Sequence, residues 1–223
     1  MDISLLAQAA FRLLLGALLT GLCLFIPAGT LAYWNAWLLL ALLLVPACIA
    51  GAVLLMRKPD LLRKRMRMRE TERGQRAVVA ISGVMFILGF IVSGLNRRFL
   101  WLQLPRWVCL AASAMFILGY LLYAEVLREN AYLSRSVEIQ AGQRVVDTGL
   151  YGVVRHPMYT ATLLLFLSMP LILGSPQALA VFLIYPPLLA GRIANEERVL
   201  EEGLPGYAQY KSRVRYRLIP FLW

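Results

Sequence analysis

Long apolar runs separated by short polar ones set the plan of the chain. The first run covers 5–28 and closes on Pro27-Ala28-Gly29. The second covers 34–56, behind Tyr33, Trp34 and Trp37, which read as an aromatic belt at a membrane–water interface. A third covers 77–95 and a fourth 107–127. Each reaches the ~20 residues a helix needs to cross a bilayer's hydrocarbon. From Met158 the chain is apolar as far as Leu173, turns at Gly174-Ser-Pro176, and is apolar again over 177–189. This predicts a helical hairpin: a short fifth helix, a tight turn and a sixth helix back. Pro46 is expected to kink the second span, and Pro170, Pro186 and Pro187 to bend the last two. Gly83, Gly89 and Gly94 are expected to admit close helix contact in the third. The predicted fold class is all-α, a polytopic membrane bundle of five to six transmembrane helices. Residues 1–106 are expected to form N-terminal transmembrane helices and 107–223 the core that carries chemistry.

Composition supports this plan. Of 223 residues, 60% are hydrophobic and 16% charged, too apolar for a soluble domain. The first residues lack a basic region and a cleavage site, so no signal peptide is expected. The formal net charge of +11 would suggest nucleic acid in a soluble chain, but here the cations lie in loops, where they orient a membrane protein. The segment 57–76 alone holds nine Lys or Arg against three acids; it reads as a solvated loop or as an amphipathic helix in the headgroup layer. With six crossings and both termini inside, the inner segments carry 19 Lys or Arg and the outer ones three. Both termini are therefore expected in the cytoplasm. Cys23, Cys48 and Cys109 fall inside apolar runs, and with a single histidine no metal site is expected.

Candidate chemistry is confined to two polar clusters. One is Asp147-Thr-Gly-Leu-Tyr-Gly-Val-Val-Arg-His-Pro-Met-Tyr159, which holds the only histidine, His156. Pro157 suits the first turn of the fifth helix, and Arg155 and His156 then stand at its mouth, where free backbone N–H groups favour an anion. The other cluster is Arg192-Ile-Ala-Asn-Glu-Glu-Arg198, in which Arg192 and Glu196 share a helix face. Each could be an ordinary interfacial anchor or ion pair; the hairpin that returns one to the other makes a single site the more informative reading. Glu125 and Glu129 stay unassigned, with Arg128 or Arg155 as possible partners, and Tyr207 and Tyr210 are expected to pack at the interface. There is no Gly-x-Gly fingerprint, no Gly-x-Ser-x-Gly elbow and no phosphate-binding loop.

Thr148-Gly-Leu-Tyr151, Arg155-His-Pro-Met-Tyr159, the hairpin, Glu196-Glu197-Arg-Val-Leu200, Gly206-Tyr207-x-x-Tyr210 and Arg217-Leu-Ile-Pro220 occur in this order over roughly 120–223. In combination they resemble the isoprenylcysteine carboxyl methyltransferases and their wider relatives, which include phospholipid methyltransferases. The resemblance implies an S-adenosyl-L-methionine-dependent methyltransferase working at the cytoplasmic membrane face. By motif, the cofactor pocket would take in Gln143, Arg144, Val145, Val146 and Tyr151, then His156, Pro157, Met158 and Tyr159, and close with Glu196; the segment around Ser136 would contribute. Arg192 would bind substrate, and Arg192 and Arg155 would serve catalysis. The acceptor would be a lipid or lipidated small molecule from the bilayer, with a carboxylate as nucleophile. A shorter acidic run and fewer spans than the eukaryotic prenylcysteine enzymes leave other acceptors open. The alternatives are N-methylation of a phospholipid headgroup, a non-catalytic membrane module, and an NADPH-dependent protein like the sterol reductases.

Overall fold

The computed structural model describes residues 3–57, 73–130, 132, 139 and 142–223. Most of the basic segment expected over 57–76, Ser136, and all of 133–141 except Ile139 lie outside the described residues. Among the described residues eight α-helices follow in order: α1 (Ile3–Ala28), α2 (Trp34–Arg57), α3 (Arg73–Phe99), α4 (Arg106–Glu129), α5 (Pro157–Ile172), α6 (Pro176–Phe182), α7 (Tyr185–Gly203) and α8 (Tyr207–Arg213). A 3-10 turn, Gly149–Gly152, stands between α4 and α5. Among the described residues there is no strand.

Among the described residues five stretches are long and apolar enough to cross a membrane: Leu5–Ala28, Trp34–Met56, Ala77–Phe99, Arg106–Glu129 and Pro176–Gly203. The last runs through α6 and α7 together. The chain is an integral membrane protein. Helix α5, with 16 residues, rises only about 24 Å, short of a full hydrocarbon thickness. The expected sixth helix is not continuous. It breaks at Leu183 and Ile184, and α7 restarts with Pro186 and Pro187 in its first turn. Those prolines therefore do not bend a helix interior as expected; they sit where the missing N–H groups have no helical partner to lose.

Small residues set the closest helix contacts, as in other membrane bundles. A Cβ on Gly94 would lie 2.5 Å from the Leu24 carbonyl of α1, and one on Gly89 would lie 2.3 Å from the Phe182 ring of α6. Gly83 faces open space and plays no such part. Helix α4 packs most extensively on α5, at Gly119, where a Cβ would meet Leu165 at 2.9 Å. Phe86 fills the centre, edge-on to Phe166 and Phe182. Most of α1 and α2 faces outward with exposed leucines, the surface that lipid covers.

Backbone carbonyls at the hairpin turn have no water to bind in such a setting, so side chains take that role. Asn35 donates to Ile172 O at 2.6 Å and Tyr33 to Leu173 O at 2.7 Å. Ser175 caps α6, accepting from Ala178 N at 3.3 Å. These contacts pin one end of the α5–α6 hairpin. At the other end the first turn of α5 and the last turns of α7 come together beneath the polar cap.

Candidate functional site

The cap is built from the end of α4 outward. Glu129 accepts a hydrogen bond from Leu150 N at 3.1 Å, which ties the turn to the helix. Gly149 has φ +51°, and a Cβ there would fall 1.4 Å from the Glu129 carboxylate. Only glycine satisfies both demands. The turn buries Tyr151, whose hydroxyl accepts from Asn130 Nδ2 at 2.9 Å. Burial pushes the Tyr151 phenol up to about 12, so it stays neutral near pH 7. Glu125 pairs instead with Arg128, three residues on.

Pro157 takes the first position of α5 behind His156, as the sequence predicts. The N–H groups of Arg155 and His156 are not free there. Arg155 N donates to Tyr216 O and His156 N to Arg217 O, both at 2.9 Å, and Thr160 Oγ1 donates to Leu218 O at 2.8 Å. The tail, 214–218, thus lies along the start of α5.

A buried carboxylate locks this junction. Glu197 is 2% exposed. Its Oε1 accepts from Arg155 Nε at 2.7 Å and lies 3.1 Å from His156 Nε2; its Oε2 lies 3.0 Å from Arg217 Nη2 and 4.0 Å from Lys211 Nζ. Arg155 Nη1 also donates to the Val214 and Arg215 carbonyls at 2.7 and 2.8 Å. The Arg155 guanidinium is therefore committed to Glu197 and the tail. Burying one carboxylate among several cations is tolerable because each has partners; removing one would leave the others uncompensated.

On α7, Arg192 and Glu196 share a different face from Glu197. The Tyr159 hydroxyl joins them: it accepts from Arg192 Nε at 2.8 Å and donates to Glu196 Oε2 at 2.5 Å. The His156 ring stacks on the Tyr159 ring, with centroids 5.7 Å apart.

Between these walls lies a half-enclosed cavity. Gln143, Arg144, Val145 and Val146 line one side, and Tyr151 lies beside them. His156, Met158 and Tyr159 of the α5 mouth face Arg192 and Glu196 of α7. Arg155 also reaches the wall. Of the residues expected there, Pro157 alone does not line it; it is buried at the helix start. Asn130, Leu200, Leu204, Tyr207 and Tyr210 line the cavity without having been assigned to it from sequence. Tyr207 and Tyr210 are not interfacial. They are 4% and 3% exposed, in a small apolar cluster with Leu204 and Val214. Tyr210 donates to the Tyr151 carbonyl at 2.8 Å, whereas the Tyr207 hydroxyl has no hydrogen-bond partner among the described residues. An unmet buried hydroxyl costs roughly 1–3 kcal/mol.

Fold and site define a class: a polytopic membrane bundle with a polar, half-enclosed cavity at one end, beside the junction where its C-terminal tail docks. Residues 108–202 match the model of the isoprenylcysteine carboxyl methyltransferase (ICMT) family, and over that segment the chain is ICMT-like, as its motifs predict. The whole fold is similar to the solved structure of the eukaryotic intramembrane Ras methyltransferase ICMT. That match has a TM-score of 0.54 and 20% identity over 92% of this chain and 73% of the other. A stretch of 91 residues is 31% identical to Delta(14)-sterol reductase TM7SF2 of Mus musculus; it covers 40% of this chain and 22% of the reductase. The matched stretch thus spans about a fifth of that relative's length.

Proposed function

We propose that this protein is an integral-membrane methyltransferase that draws S-adenosyl-L-methionine from the cytoplasm and methylates an anionic lipid or isoprenyl-type acceptor, with a carboxylate as nucleophile. The observation that carries this reading is a coincidence of place. The ICMT-matched segment supplies the α4 end, the α5 mouth and the α7 foot, and the cavity lies between them.

The residues present fit such a cofactor. Glu196 offers an oxygen beyond the one Tyr159 holds, suited to a hydroxyl or amino donor. Val145, Val146, Leu200 and Leu204 give apolar walls for a base, and the Tyr151 and Tyr159 rings could meet a cation. Gln143, Arg144, His156 and Met158 complete the lining, and Pro157 holds the backbone behind it. When bound, the group supplies an electrophilic methyl on sulfur. A carboxylate acceptor is already ionised near pH 7, so the protein need not take a proton. Its work is alignment and exclusion of water. Arg192, oriented by Tyr159, would hold the acceptor's carboxylate. Arg155, expected from sequence to act in catalysis, becomes a positioning residue through Glu197. Residues 107–223 would be the catalytic core and 1–106 the membrane anchor, with both termini in the cytoplasm.

Equilibrium binding of S-adenosyl-L-methionine to the purified protein tests the reading, with Glu196→Ala expected to abolish it. Incubation with methyl-labelled donor and total membrane lipid then identifies the product. The sterol reductase match supports a second reading, a nicotinamide site in the same cavity. Binding of NADPH without binding of the methyl donor would replace the first reading by the second.

A further inference from the structure

Six tyrosines are buried, and five have hydroxyls with partners. Tyr33 donates to the Leu173 carbonyl, Tyr185 to Thr162 and Tyr210 to the Tyr151 carbonyl; Tyr151 bonds Asn130, and Tyr159 bridges Arg192 and Glu196. The sixth, Tyr207, is 4% exposed, lines the cavity and has a hydroxyl with no partner among the described residues. Its ring is held against Tyr210, with centroids 5.7 Å apart, at the start of α8 behind Gly206. Glu196 and Arg155 line the same cavity, and Glu197 lies behind Arg155. Glu197 and Arg155 are saturated by each other and by the tail, so the acceptor left on the cavity side is Glu196.

We infer that the Tyr207 hydroxyl is a ligand-binding group of this cavity, completed by a ribose hydroxyl of the bound nucleoside cofactor. A buried polar group without a partner is rare in a folded protein and calls for an explanation. A hydroxyl is the ligand group that answers both residues, since it can accept from Tyr207 while donating to Glu196. An amine would answer Glu196 alone, and an apolar group neither. Tyr207 is then a specificity residue for the nucleoside half of the donor, remote from the methyl.

This inference rests on the methyl-donor reading, and the test keeps the two apart. S-adenosylhomocysteine and its 2′-deoxy and 3′-deoxy analogues would be titrated into the purified wild-type protein and into Tyr207→Phe, with thermal unfolding of both ligand-free proteins recorded. Tyr207→Phe removes an unmet group, so ligand-free Tm should be unchanged or higher. Tyr210→Phe, which strips a partner from the Tyr151 carbonyl, should lower it. Affinity of Tyr207→Phe for S-adenosylhomocysteine should fall about tenfold. One deoxy analogue should lose a similar factor on wild type and no further factor on the variant. Equal affinities of wild type and Tyr207→Phe would overturn the inference while leaving the methyl-donor reading intact. Fully additive losses with both analogues would overturn the ribose assignment. Failure of wild type to bind S-adenosylhomocysteine at all would overturn both.

Discussion

At Tyr159 a single oxygen touches both charges of the site. Arg192 and Glu196 stand four residues apart on α7, the spacing at which opposite charges pair directly. The hydroxyl sits between them as acceptor from one and donor to the other. Tyr159→Phe should let the two close into an ion pair, drawing Arg192 from the acceptor and Glu196 from the cofactor. We expect the Kd for S-adenosyl-L-methionine and the KM for the acceptor each to rise roughly 10-fold, the worth of a charge-assisted hydrogen bond. A defect of folding alone would reduce the fraction of active protein and leave both constants unchanged, so titration of active sites beside the kinetics decides it. Arg192, Glu196 and Tyr159 are legible in the sequence because they stand in motifs at helical spacing. Which of the two adjacent acids faces the cavity is a matter of rotation by one residue on α7. A signal for Glu197 was present: Leu189, Ile193, Glu197 and Leu200 fall on one stripe, so this glutamate extends the apolar face and needs a buried partner. The orphan at Tyr207 has no such signal, since it depends on where every neighbour's hydrogen bonds go.

Between elements, the tail is the part most dependent on one residue. Its backbone accepts from Arg155, His156 and Thr160, and Arg217 reaches Glu197 from it. Glu197→Ala would leave Arg155 buried without its counter-ion, at a cost of about 3–5 kcal/mol. The expected result is a lower Tm and tryptic cleavage at Arg217, only half-exposed while the tail is docked, that is faster than in the wild type. Unchanged Tm and unchanged cleavage would show that the tail holds by its backbone bonds alone. The spans themselves were legible, because a helix in hydrocarbon satisfies its own backbone and hydropathy then marks its length. The break between α6 and α7 was not. Leu183 and Ile184 are as apolar as their neighbours, and the prolines that mark the restart suit a bend equally well. Nor could composition show that α5 starts beneath a strip of tail some 60 residues later in the chain, a pairing of backbone groups that no side-chain pattern records.

For the molecule as a whole, one end of the bundle differs from the other in chemistry. The hairpin turn is closed by neutral groups, Tyr33, Asn35 and Asn96. The end with the cavity carries Arg144, Arg155, Arg192 and Arg217, continuous with the basic tail. Cations within short loops resist translocation, so the proposed orientation puts the charge-rich end on the cytoplasmic side, where S-adenosyl-L-methionine is made available. Packing alone does not distinguish the leaflets; the distribution of Lys and Arg is the ground for this proposed orientation. The donor is itself charged and does not cross a sealed bilayer unaided. Sealed membrane vesicles of opposite orientation therefore separate the possibilities. Inverted vesicles supplied with methyl-labelled donor from outside should label their lipid at once, and right-side-out vesicles should label it only after permeabilisation. Labelling by intact right-side-out vesicles alone would turn the protein over in the membrane. It would leave the cavity and its tyrosines in place, but it would require that the positive tail, with its pairing to Glu197, had been carried across the bilayer.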